Sequence, residues 1–355
     1  MPPSQPPTFL IAAGGTAGHV LPALAVAEAL GRRGASVTLA GRPDSIEERL
    51  ARQSGLEFDA FRVEGIPRRA SLRTLGALFR AAVAPAECLR ILRRRRPAAV
   101  LGAGGYVAGP MVLAAGTLRI PAALTEADAH LGLANRLAAP FAKRVFCAFP
   151  IEGLGGPKYE VVGRPIPDRS RVPHRAAARE AFGLPAEGPV VLVFGGSQGS
   201  RRLNEAALEA FAEEGPAVLH LAGERDYPDL EARTRRPEYR LLPYTDEFGA
   251  ALAAADLVVA RAGGSVWEVA AAGKPALLVP YPHATANHQE KNARYFERGG
   301  GAIVVREPEL ELDRQVGDLL ADPARLEHMG RSMRALAKPD AADVVAEELM
   351  SLAGA

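Results

Sequence analysis

Twice in this 355-residue chain an apolar run stops at a glycine pair and restarts as a helix-forming segment. Phe9 to Ala13 leads into G-G-T-A-G-H (Gly14 to His19), and Val190 to Phe194 leads into G-G-S-Q-G-S (Gly195 to Ser200). A strand tied to a helix by so short a glycine turn belongs beside parallel strands, covered by helices on both faces. The alternation continues after each start. Strands are expected at Val37 to Ala40, Phe58 to Val63, Val100 to Leu101, Ala122 to Thr125, Val145 to Ala148 and Tyr159 to Val162. In the second half they are expected near Ala217 to Leu221, Arg240 to Leu242, Leu257 to Ala260, Ala276 to Leu278 and Ala302 to Val304. The fold class is therefore α/β, with two doubly wound, Rossmann-like parallel-sheet domains.

The length suits two domains of roughly 100–200 residues each. The break is placed at G-R-P-I-P-D-R-S-R-V-P (Gly163 to Pro173), whose prolines and charges read as a linker. This gives an N-terminal domain over residues 1–163 and a C-terminal domain over 164–339. An amphipathic last helix within 340–355 is expected to pack back on the first domain.

Cys88 and Cys147 show no C-x-x-C spacing, so neither a disulfide framework nor a zinc site is expected. The start M-P-P-S-Q-P-P does not read as a signal peptide, and no run reaches the roughly 20 apolar residues of a spanning helix. A cytosolic protein is the expectation. Between positions 60 and 97, Arg62, Arg68, Arg69, Arg73, Arg80, Arg90 and Arg93 to Arg96 face only Glu64 and Glu87. The helical region from Leu72 to Arg96, expected to break at Pro85, interleaves these arginines with Leu72, Leu75, Leu78, Phe79, Val83, Leu89, Ile91 and Leu92. An anionic membrane surface and a solvated face are the two leading readings. Nucleic acid is not expected as a partner, because Phe79 is the only aromatic residue of the segment.

Four glycine loops carry the chemistry. In the stretch from Ala260 to Asn292, a strand turns at Gly263-Gly264 into a helix expected from Ser265, which suits an anion at the first amides. Glu268 one turn later is an acceptor for a sugar diol, and phosphates beside a diol indicate a nucleotide. A polar run from His283 to Asn292 follows the next strand and belongs to the same crevice. Dinucleotide binding fails on spacing: Gly14, Gly15 and Gly18 do not make G-x-G-x-x-G, and Ala40-Gly41-Arg42 replaces the ribose-binding acid. His19, at a helix start where its imidazole would stay neutral, is a candidate base or a packing residue. Glu126 and Asp128 are either paired carboxylates or a strand-end cap. No D-x-D pair is present, so no metal or other cofactor is expected.

Together, G-G-T-A-G-H-V-L-P-A-L-A-V-A, G-A-G-G-Y-V-A-G-P, F-G-G-S-Q-G-S-R-R-L-N and R-A-G-G-S-V-W-E-V-A-A-A-G-K-P resemble, in order, the MurG family of peptidoglycan glycosyltransferases. The resemblance implies two domains facing across a cleft, the GT-B arrangement. It implies inverting transfer of N-acetylglucosamine from UDP-GlcNAc to the muramoyl 4-hydroxyl of lipid I, giving lipid II, at the cytoplasmic face of the membrane. A lipid glycosyltransferase of other specificity and a UDP-GlcNAc 2-epimerase-like enzyme are the alternatives. Carried onto matching positions, Thr16, Ala17 and Gly18 line the substrate cleft, and His19 is the base, with Glu126 as the other catalytic candidate. Gly104, Gly105 and Tyr106 face the lipid I diphosphate. Ser197 and Gln198 lie at the donor diphosphate, Thr245 at uracil, Gly264 and Ser265 at the phosphates, Glu268 on the ribose and Gln289 on the GlcNAc hydroxyls. The chain departs from the family at T-E-A-D (Thr125 to Asp128), where H-E-Q-N is usual, so that Asp128 replaces a sugar-contacting Asn. Gly163-Arg164-Pro165-Ile166-Pro167 stands where G-N-P-[VI]-R is usual, leaving Arg164 or Arg169 to replace the arginine.

Overall fold

The computed structural model describes residues 6–63, 72–168, 174–196, 198–234 and 236–354, with backbone alone for 72–83. Arg68, Arg69, Arg169 and Ser197, and the side chains of Leu72, Arg73, Leu75, Leu78, Phe79, Arg80 and Val83, lie outside the described residues. The chain forms two units, one of Met1–Pro167 with Pro339–Ala355 and one of Asp168–Lys338.

The first unit runs β1 (Thr8–Ala12), α1 (Ala17–Arg32), β2 (Ser36–Gly41), α2 (Ile46–Gln53), β3 (Glu57–Ala60), α3 (Leu72–Arg95), β4 (Ala99–Gly102), α4 (Ala108–Thr117), β5 (Ala122–Glu126), α5 (Leu133–Ala138), β6 (Arg144–Cys147) and β7 (Tyr159–Val161). Its parallel sheet has the order β3-β2-β1-β4-β5-β6-β7. Alternate residues of the central strands fill two separate cores. Phe9, Ile11 and Leu101 pack with α1, whereas Leu10, Ala12 and Val100 pack with α3 and α4. That two-sided burial is why these strands read as unbroken apolar runs.

Two expectations change here. Pro85 lies inside α3 and does not end it. One lost backbone bond is offset because Ala84, Cys88, Ile91 and Leu92 on the same helix are buried in the second core. For the same reason Ile91 and Leu92, and in part Leu89, are core residues and not a face for a membrane. Arg94 and Arg95 are also engaged: both bond Asp59, at 2.7 and 2.8 Å, and Arg95 pairs with Glu57.

The second unit runs α6 (Arg175–Ala181), β8 (Val190–Phe194), α7 (Arg201–Phe211), β9 (Ala217–Leu221), α8 (Tyr227–Leu230), β10 (Tyr239–Leu242), α9 (Phe248–Ala254), β11 (Leu257–Ala260), α10 (Val266–Ala271), β12 (Ala276–Leu278), α11 (His288–Arg298), β13 (Ala302–Val304), α12 (Leu312–Leu320) and α13 (Pro323–Leu336). Its parallel sheet repeats the first plan, in the order β10-β9-β8-β11-β12-β13.

The last helix, α14 (Ala341–Leu352), belongs to the first unit, burying Ala342, Val345, Ala346 and Leu349 against the core under α1. Asp343 accepts from Arg32 at 3.0 Å and Arg33 at 2.7 Å, and Glu347 accepts from Arg33 at 2.6 Å.

Candidate active site

In the first sheet the chain reverses its direction of travel between β1 and β4, so the loops leaving these neighbours part and open a crevice at their carboxyl ends. G-G-T-A-G-H leaves β1 and G-A-G-G-Y leaves β4. The helix starts earlier than expected: Ala17, Gly18 and His19 form the first turn of α1, with Thr16 as its extended cap. The Thr16 carbonyl accepts from the amides of His19 (3.0 Å) and Val20 (3.3 Å).

The two loops interlock through glycine. Gly105 has φ +73°, and a Cβ there would stand 2.1 Å from the Gly14 carbonyl oxygen. Gly104 has φ +96°, and its Cβ would meet the His19 ring at 2.7 Å. Both the left-handed backbone and the close approach exclude a side chain. Tyr106 follows, half-buried against the core.

His19 is largely enclosed, and Thr16 Oγ1 lies 3.4 Å from its Nδ1. Burial is the first cause lowering its pKa, and the Arg164 guanidinium is the second; Asp128 and a bond to the Gly14 carbonyl oppose them. Arg164, 8% exposed, donates to the Gly18 carbonyl at 2.6 Å and so braces this turn.

Glu126 ends β5 and lines the same small pocket as His19 and Arg164. Its oxygens accept from Gly132 N (2.9 Å), Asn135 Nδ2 (2.9 Å) and Asp128 N (3.3 Å). Burial raises its pKa against those bonds. The carboxylate thus folds its own loop, placing Asp128 near His19.

In the second unit the matching switch lies between β8 and β11. Gln198 is exposed in the loop after β8. After β11 the helix begins at Val266, one residue later than expected, with Ser265 as its cap. The amides of Val266, Trp267 and Glu268 donate back to Gly263, Gly264 and Ser265, at 3.2, 3.1 and 3.0 Å. Neither Gly263 nor Gly264 has positive φ; a Cβ on Gly263 would meet only open space. The use of Gly263 is clearance above the turn rather than an unusual backbone. Glu268 is half-buried in the first turn of α10. Gln289 Oε1 accepts from Tyr281 N at 2.9 Å, and Thr245 Oγ1 accepts from Glu247 N at 3.1 Å.

Sequence reasoning passed over the residue that joins these loops. Arg261, 6% exposed, donates to Ser200 Oγ (2.9 Å) and to the carbonyls of Val279 (3.1 Å) and Pro280 (3.2 Å), and pairs with Glu307. One guanidinium fork thereby fixes the ends of the loops after β8, β11 and β12. Its signal was present: an arginine directly after the buried run L-V-V-A. A second network lies under the β8 loop. Asn204 Nδ2 donates to the Ala222 carbonyl (2.9 Å) and to Asp226 (3.0 Å), which makes Asn204 Oδ1 the acceptor for His220 Nε2 (3.0 Å). His220 Nδ1 is then the acceptor for the Tyr239 hydroxyl at 2.7 Å.

Two doubly wound units with glycine loops at both switch points, one holding a half-buried imidazole with a lowered pKa, have the architecture of a two-domain nucleotide-sugar glycosyltransferase. The chain matches the glycosyltransferase family 28 N-terminal domain over residues 9–147 and its C-terminal domain over residues 190–345. A UDP-N-acetylglucosamine--N-acetylmuramyl-(pentapeptide) pyrophosphoryl-undecaprenol N-acetylglucosamine transferase of Halorhodospira halophila is 42% identical, covering 96% of each chain. The crystal structure of Acinetobacter baumannii MurG superposes with a TM-score of 0.77 at 30% identity, over 98% of this chain and 100% of that one. The chain belongs to the MurG family within glycosyltransferase family 28. UDP-GlcNAc 2-epimerase from Neisseria meningitidis shares the fold alone, with a TM-score of 0.69 at 14% identity, over 97% of this chain and 100% of that one.

Proposed function

We propose that the chain transfers N-acetylglucosamine from UDP-GlcNAc to the muramoyl 4-hydroxyl of lipid I, with inversion, forming lipid II. The observation that carries this reading is the enclosed His19, neutral between two interlocked glycine loops, in a chain of the MurG family. His19 takes the proton of the attacking hydroxyl as oxygen bonds to the anomeric carbon and UDP departs with the bond electrons. Thr16, Ala17 and Gly18 form the turn that presents it, and Gly104, Gly105 and Tyr106 receive the acceptor diphosphate. Glu126 acts by holding Asp128, which faces the acceptor or sugar, and burial together with Arg164 keeps the imidazole neutral. In the second unit Ser197, Gln198, Gly264 and Ser265 take the donor diphosphate, Thr245 the uracil, Glu268 the ribose diol and Gln289 the sugar hydroxyls.

The first unit also docks, in this reading, on the anionic cytoplasmic face of the membrane. Among the described residues no helix is long and apolar enough to cross a membrane. Leu133 and Leu137, one turn apart on α5, and Phe141 just beyond it are instead exposed, as are Arg136 and Lys143 of the same stretch. That apolar ridge with a cationic rim supports peripheral attachment.

Incubation with labelled UDP-GlcNAc and a short-chain lipid I analogue tests the activity. Label in a disaccharide product together with stoichiometric UDP is expected. Epimerised sugar, or donor binding without UDP release, overturns the proposal.

A further inference from the structure

The second unit has another cavity, of about 720 Å³, at the amino ends of β8, β11 and β12, the end of the sheet away from the glycine loops. Arg175, Lys274, Arg331 and Arg334 line it, against the carboxylates of Asp256 and Glu327. The carboxylates are already committed. Asp256 accepts from Arg175 (2.8 Å), Arg179 (2.7 Å) and Val190 N (2.8 Å), while Glu327 pairs with Arg331.

Two cations are left over. Lys274 Nζ donates to the carbonyls of Ala253 (3.3 Å) and Ala255 (2.8 Å), two neutral acceptors for a group with three N–H bonds. Arg334 folds over Gly273, where a Cβ would meet its Nη2 at 2.5 Å, and bonds no carboxylate among the described residues. Burial lowers the Lys274 pKa, Asp256 opposes it, and Arg175, Arg179 and Arg334 each lower it further. Leu320 and Leu326 supply apolar wall, and the volume falls in the roughly 300–1,000 Å³ range of small-molecule sites.

We propose that this cavity binds a small multivalent oxyanion, phosphate- or carboxylate-bearing, between Lys274 and Arg334. The site is separate from the donor crevice and does not depend on the reaction assigned above.

Calorimetric titration of the full chain with sodium tripolyphosphate, at low salt, with and without saturating UDP, tests it. One-to-one binding is expected. Arg334→Gln should weaken it about tenfold, the loss of one charge-assisted contact. Glu327→Gln should tighten it, since Arg331 is then released toward the anion. Both positions are surface side chains, and unchanged thermal unfolding without the probe would verify that the variants fold. Binding insensitive to both variants, binding abolished by UDP, or no heat at millimolar probe overturns the proposal.

Discussion

The assigned base is a histidine whose environment does opposing things, and each can be removed singly. Arg164 and burial hold the His19 pKa below its ordinary value, while Asp128 raises it. A base acts deprotonated, so the acid limb of kcat/KM in the wild type is expected below about pH 6.5. Arg164→Gln should move that limb up in pH, and Asp128→Asn should move it down. A limb that ignores both substitutions belongs to another group. His19→Ala should lower kcat by roughly 10²–10⁴ with UDP affinity kept; turnover within tenfold of wild type would transfer the role elsewhere. The sequence placed His19 correctly at a helix start, because a glycine turn before an apolar helix is a local pattern. It assigned the neutral imidazole to the helix terminus, whereas burial and Arg164 are the leading causes. Arg164 is 146 positions from the turn that it braces. No local spacing announces such a contact.

At the scale of elements, the alternation of strands and helices implies doubly wound parallel sheets, and both sheets are parallel with a switch beside their first strand. The way loops lean on one another was not legible, since it depends on which side of a strand a loop crosses. Gly105→Ala tests that contact. A Cβ 2.1 Å from the Gly14 carbonyl, on a backbone with φ +73°, must push the two loops apart. Turnover should fall at least tenfold and stability by about 1–3 kcal/mol. Gly188→Ala also has positive φ but meets nothing within 4 Å, so it should cost stability without changing turnover. An active Gly105 variant would show that the loops do not need to touch. Under the β8 loop, burial pushes the His220 pKa down to about 3. The folded state keeps it neutral while the unfolded chain takes a proton below about pH 6.5, so its contribution is lost as pH falls. Between pH 8 and pH 5 the wild type should lose about 2 kcal/mol more than His220→Gln in urea unfolding. Equal losses would mean that the unfolded chain and the network protonate alike.

For the molecule as a whole, net charge is a poor guide to where a membrane would meet it. The formal charge is only +2, and two of the arginines that make the 60–97 segment basic have other work. Arg94 and Arg95 neutralise Asp59 and Glu57, and the apolar residues between them and Pro85 are core. Among the described residues of the first unit, the exposed large apolar side chains are a feature the sequence reading passed over, because a six-residue helix with two leucines resembles any core helix. Leu133 and Leu137 are 56% and 61% exposed, Phe141 is 49% exposed, and α5 packs on α4, the helix that α3 also contacts. Burying one such side chain in the acyl boundary contributes about 1.5–3 kcal/mol, more than one arginine at the surface supplies, about 1 kcal/mol. Substitution of the ridge should therefore weaken attachment more than neutralising Arg136 does. In liposome flotation, Leu137→Ser with Phe141→Ser should reduce binding more than tenfold, and Arg136→Gln only severalfold. The Arg136 effect should vanish as salt shortens the screening length, and the ridge effect should persist. If the double serine variant floats like the wild type, the ridge does not enter the bilayer.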